Sequence, residues 1–164
     1  MSKKKQPNIW KLVFALVLVV AGSVLFVGAV GGWFGVSKVK LEDDYYCKKD
    51  CESTEMIELS GDKFEQLMND KKSFVIFVDQ GGCTTADRLE EYTLDYMHEK
   101  GIIVYKMMFE DLKKTSLHES VKFYPSLVVI SKGRVMTYLR ADEDDDAKMY
   151  NNYDDFKIWL SKWL

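Results

Sequence analysis

The chain has 164 residues, 47% apolar and 30% charged, which excludes disorder, collagen and low-complexity fibre for most of its length. Its net charge of −3 hides an asymmetry: Lys3, Lys4, Lys5 and Lys11 make the start basic, while from residue 37 onward 19 basic side chains face 26 acidic ones. A basic stub on an acidic body offers no Lys/Arg stripe to replace phosphate counterions, so no nucleic-acid partner is expected.

Residues 12–36 (LVFALVLVVAGSVLFVGAVGGWFGV) carry no charge. As a helix they span roughly 37 Å, enough to cross a bilayer with some tilt. Trp10 and Trp33 stand near the two edges, where indoles favour the interface. A cleaved signal peptide is the competing reading, with Val27-Gly28-Ala29 as its cleavage site, but the apolar run exceeds the usual length of such a segment. An uncleaved single-pass anchor is expected.

Basic counts on the two sides of the span are nearly equal, because Lys38, Lys40, Lys48 and Lys49 follow it. A short Lys-rich tail stays in the cytoplasm and a long folded domain translocates largely regardless of charge, so the reading is N-terminus in, C-terminal domain outside. Gly28 and Gly32 are four apart, as are Gly31 and Gly35, the spacing that lets a second helix approach closely. These assignments divide the chain into a basic tail (1–11), a transmembrane helix (12–36), a polar linker (37–55) and one domain (56–164). The linker lacks apolar periodicity and is expected to act as a loose tether.

Within the domain, Met56–Leu59 is a short strand candidate. Ser60 and Asp62 offer N-caps for a helix over about 62–70. Ser73–Val78 is a continuous apolar run of the length of a buried central strand. Gly81-Gly82 breaks the chain, and a helix follows from Thr84 to Glu99, closed by Gly101. Ile102–Phe109 reads as a strand and Leu112–Val121 as a weaker helix. Pro125 precedes the apolar run Leu127–Ile130, Lys132-Gly133 makes a hairpin turn, and Arg134–Leu139 pairs back. Residues 141–152 read as a solvated acidic loop, and Asp154–Trp163 as a closing helix. The order implies a mixed α/β sheet flanked by helices.

Strand SFVIFVDQ, a Gly-rich turn, Cys83 at the mouth of a long helix, and Tyr124-Pro125-Ser126 before a strand–KG–strand hairpin together resemble the thioredoxin fold, over residues 56–164. The resemblance implies that Cys83 is the nucleophilic first cysteine of a C-x-x-C motif. It also implies that Pro125 is a cis-proline lying against it, with Gly82, Thr84, Thr85, Tyr124 and Pro125 lining a substrate groove. The motif here is degenerate, reading Cys83-Thr84-Thr85-Ala86, so alanine replaces the resolving cysteine. Gly82 stands where thioredoxins usually carry tryptophan. The buried acid of the family falls at Phe77, and strand alternation is read as placing Asp79 elsewhere.

A thiolate at a helix N-terminus is stabilised by free N–H groups and the helix dipole, and Thr84 or Thr85 adds a hydroxyl. Without a resolving thiol, Cys83 would form persistent mixed disulfides or a sulfenic acid, or be an inert remnant. Cys47 and Cys51 are close enough to pair locally, to stay as two thiols, or to resolve Cys83. No metal site is expected, because two thiols without nearby His do not complete a tetrahedral zinc site. No cofactor is expected either.

His98 lies about four turns along the helix from Cys83 and reads as solvated, and His118 has no ligand spacing around it. Asp142–Asp146 lacks the alternation and glycine of an EF-hand loop. Tyr45, Tyr46, Tyr150 and Tyr153 are either an aromatic surface or core. The absence of any N-x-S/T acceptor leans toward a bacterial source.

Two functions from different classes emerge. The first is an extracytoplasmic, membrane-anchored, non-catalytic module binding an exported or membrane protein, which the missing cysteine and acid favour. The second is a monothiol exchange protein with Cys83 as nucleophile.

Overall fold

A computed structural model describes residues 37–46 and 55–164 of the protein. The expected span 12–36, with Gly28 and Gly32, and the cysteines Cys47 and Cys51 lie outside the described residues. Among the described residues no helix is long and apolar enough to cross a membrane.

The domain forms a compact unit over Lys38–Leu164. Its elements are β1 (Ile57–Glu58), α1 (Gly61–Asn69), β2 (Phe74–Asp79), α2 (Thr84–Lys100), β3 (Tyr105–Met108), α3 (Phe109–Leu112), α4 (Leu117–Ser120), β4 (Ser126–Ser131), β5 (Arg134–Tyr138), α5 (Asp144–Asn151) and α6 (Tyr153–Trp163). The strands form one sheet in the order β1-β3-β2-β4-β5. β1 and β2 run parallel to β3, whereas β4 is antiparallel to both β2 and β5.

The central position of β2 follows from its sequence. Phe74, Val75, Ile76, Phe77 and Val78 are all fully buried, so both faces of this strand are covered, as an apolar run without alternation requires. Phe64 of α1 packs edge-on against Phe74, whose ring centroid is 6.3 Å away. On the face that Phe77 shares, Lys106 reaches Glu90 of α2. Helix α6 packs on α2 through Phe156, which meets Tyr92 and Tyr96.

Local signals fix the element ends. The Ser60 hydroxyl caps α1 by accepting from the Lys63 N–H. Gly101 closes α2 in the left-handed conformation, φ 61°. Lys132 and Gly133 both have positive φ, the two-residue turn that matches strand twist in a hairpin. A Cβ on Gly133 would collide with the Met68 carbonyl oxygen, which explains glycine there.

Three expectations are corrected. Residues 141–152 are not a solvated acidic loop: Asp144–Asn151 is helix α5, with Met149 and Tyr150 buried. Asp144, Asp145 and Asp146 fill its first turn, where negative charge is favourable beside the unpaired amides, so the acids that suggest a loop are helix-starting residues.

The weak helix expected over Leu112–Val121 is reduced to α4 (Leu117–Ser120), with α3 (Phe109–Leu112) ending where that helix is expected to begin. The Thr115 hydroxyl donates to the Leu112 carbonyl, and the Ser116 amide donates to Glu65, taking backbone groups away from helical pairing.

The described part of the linker is not a loose tether either. Val39, Leu41 and Tyr45 are buried in the core, Val39 N–H donates to the Trp163 carbonyl, and Ile103 N–H donates to that of Tyr45. Their spacing follows no single helical or strand period, which is why the segment reads as polar.

Candidate functional site

β2 ends at Asp79, and the chain turns through Gln80, Gly81 and Gly82 to reach Cys83. The two glycines have φ of 76° and 67°, a region strained for other residues. Asp79 Oδ1 accepts from the Gly81 N–H at 2.7 Å, so the carboxylate shapes the turn that presents the cysteine.

Cys83 is a free, half-buried thiol and the N-cap residue of α2. Its carbonyl accepts from the amides of Ala86 (2.8 Å) and Asp87 (3.1 Å), which starts the helix. The neutral thiol closes no capping hydrogen bond of full geometry. The amides of Ala86 and Thr85, and then the Thr85 hydroxyl, nonetheless favour the anion and hold the thiol below its ordinary value, against smaller opposition from burial and Asp87. Thr84 and Gly82 are exposed and Thr85 is half-buried. Ala86, three residues on from Cys83, is buried.

Tyr124–Pro125 is a cis peptide bond, as the resemblance implies. Pro125 is buried and Tyr124 half-buried. The antiparallel register pairs Ser126 with Val78, so Pro125 enters β4 beside the point where Asp79 leaves β2. The Cys83 turn and the Pro125 loop therefore share one end of the sheet. The Tyr124 hydroxyl donates to the Val121 carbonyl, and burial pushes its pKa up to about 12. Its ring lies 4.8 Å from that of Phe109, whose chain neighbour Met108 is exposed.

Asp79 is a correction to the sequence reading. Residues two apart in a strand share a face, so Asp79 points to the same side as Phe77, one step nearer the turn. Its Oδ2 lies 3.3 Å from Lys106 Nζ, which also reaches Glu90 Oε1 at 2.8 Å. Burial works against the Lys106 charge, but Glu90 and Asp79 outweigh it and raise its pKa. A lysine inside the short strand Tyr105–Met108 was the available signal, since a charge there needs partners.

Tyr150, which the sequence offers only as surface or core, reaches the site. Its buried hydroxyl donates to the Pro125 carbonyl at 2.8 Å. His98 is exposed on α2, and the partly buried His118 stacks edge-on with Phe109. Tyr45 and Tyr150 are core, Tyr46 is exposed and Tyr153 half-buried. Among the described residues, no group of three or more His, Cys, Asp or Glu side chains is arranged to hold a metal ion.

No family model matches the chain. No curated protein matches it either. Solved structures do. The reduced thioredoxin pre-protein of Schistosoma mansoni is 18% identical, with 67% of this chain and 99% of that one covered and a TM-score of 0.50. The oxidised mitochondrial thioredoxin 3 of Saccharomyces cerevisiae is 12% identical, covers 65% and 93%, and has a TM-score of 0.49. The oxidised thioredoxin of Plasmodium falciparum is 12% identical, with 62% and 98% covered and a TM-score of 0.46. At these identities the likeness concerns the fold, and the fold of this domain is thioredoxin-like.

Proposed function

We propose that the protein is a membrane-anchored, extracytoplasmic module that presents Cys83 as a lone exchanging thiol to exported or membrane proteins. The observation that carries this reading is the setting of Cys83: half-buried rather than sealed, at the head of α2, with amides and a hydroxyl favouring its anion. In the reaction, the Cys83 thiolate attacks one sulfur of a partner's disulfide. A new sulfur–sulfur bond forms to Cys83, the partner's bond breaks, and the leaving thiolate takes a proton from water. With Ala86 in place of a second cysteine, the adduct persists until an external thiol attacks it. Residues 12–36 are the anchor in this account, and their orientation places the domain outside.

A non-catalytic binding module is the second reading. It is favoured by Phe77, fully buried where the family keeps an acid. Trapping separates the two. Full-length protein is recovered from cells quenched with acid and alkylated, and run on a non-reducing gel. Exchange predicts adducts that vanish with reductant and are lost in Cys83→Ala. Adduct patterns identical in wild type and Cys83→Ala would leave only binding.

A further inference from the structure

We propose that a partner peptide docks between the Cys83 turn and the Pro125 loop, that α5 braces this docking site, and that Tyr150 is the positioning residue that holds its Pro125 wall. The proposal deepens the exchange reading and rests on it.

Helix α5 touches both segments that the site needs. Tyr150, 3% exposed, donates its hydroxyl to the Pro125 carbonyl at 2.8 Å across 25 residues of chain. One residue on, Asn151 Oδ1 accepts from Arg88 Nη1 at 2.7 Å, which ties the same end of the helix to α2 five residues past Cys83. The other end is fixed too: Asp146 Oδ2 accepts from the Arg140 N–H at 2.8 Å, and Arg140 pairs with Glu143 at 2.9 Å. A single eight-residue element thus links the end of β5, the Pro125 loop and the Cys83 helix.

The Tyr150 hydroxyl has no need of this geometry for packing, since phenylalanine would fill the same space. Burying a phenol stabilises only when its O–H finds a partner, and here the partner is backbone at the site. Pro125 lies one residue before the first registered pair between β4 and β2, so its carbonyl is not fixed by that pairing and gains its hold from Tyr150. Displacing a docking strand by a fraction of an ångström penalises an extended peptide, which must align along the wall. A small disulfide needs only the sulfur.

The test compares two probes with the same leaving group on full-length protein in detergent micelles. One is the small aromatic disulfide dithiodipyridine. The other is a linear, unstructured peptide whose one cysteine carries a thiopyridine mixed disulfide. The Cys83 rate is the part lost in Cys83→Ala. In Tyr150→Phe the ratio of peptide rate to small-disulfide rate should fall about fivefold, the worth of roughly one hydrogen bond. A ratio within twofold of wild type, with a cooperative melt retained, would overturn the proposal. If Tyr150→Phe loses its cooperative melt, the same ratio in Asn151→Ala decides, because that side chain is exposed. Wild type that reacts with the small disulfide but not the peptide would overturn the brace and leave the thiol reading standing. Wild type inert to both would overturn both.

Discussion

Lys106 Nζ stands 3.3 Å from Asp79 Oδ2, at the end of the strand that leads into Cys83. The same carboxylate accepts from Gly81 N–H through its other oxygen, so one ion pair couples β3 to the turn that presents the thiol. Both side chains are mostly buried, 18% and 12% exposed, which makes the pair costly to break from one side. Lys106→Met strands Asp79 and Glu90 together. The expected loss is about 2 kcal/mol, or about 6–10 °C in melting temperature for this size. Denaturant unfolding of the two full-length proteins measures it. Because its folded pKa is raised, the Lys106 contribution is fully present at neutral pH and is lost only as pH rises through the lysine range.

Leu41 is 1% exposed in the core. Leu41→Ala should therefore cost about 2–4 kcal/mol, as a buried leucine does, rather than nothing, as a tether residue would. Thermal unfolding by circular dichroism distinguishes these outcomes.

Gly133 occupies the second position of the hairpin turn with φ 69°. Gly133→Ala brings a methyl group against the Met68 carbonyl and forces a left-handed conformation on alanine. Destabilisation of about 2 kcal/mol is expected, read from the midpoint of urea unfolding.

Ala86 lies one turn along α2 from Cys83, where the exchange reading would need a resolving thiol. Ala86→Cys should convert long-lived adducts into transient ones, because the new thiol attacks the mixed disulfide and releases the partner. The readout is adduct lifetime on non-reducing gels after a pulse of peptide disulfide. Lifetimes equal to wild type would show that position 86 cannot reach the Cys83 sulfur.

The sheet was legible because its central strand is written in five consecutive apolar residues and its hairpin in Lys132-Gly133, signals that act locally. The cis bond before Pro125 was legible only through the resemblance, since nothing in the neighbouring composition demands it. What the sequence hid are the pairings of distant residues. Tyr150 finds Pro125, and Lys106 finds Asp79 and Glu90, only once the sheet has brought them together. The run Asp142–Asp146 concealed α5 because its acids, placed at a helix start, look like those of a solvated loop. Val39, Leu41 and Tyr45 were masked by the charged residues between them.

The fold favours the Cys83 thiolate, and the pH dependence of Cys83 alkylation reads this preference out. The amides of Ala86 and Thr85, with the Thr85 hydroxyl, depress the thiol pKa, so the thiolate persists as pH falls below the ordinary thiol range and disappears only beneath the lowered value. Iodoacetamide rates for Cys83 in the full-length protein, taken as the difference from Cys83→Ala, should reach half-maximum below the ordinary thiol pKa of about 8.5. In Thr85→Val the half-point should move upward. A wild-type half-point at or above about 8.5, unmoved in Thr85→Val, would show that the fold does not favour the thiolate and would leave the non-catalytic binding reading.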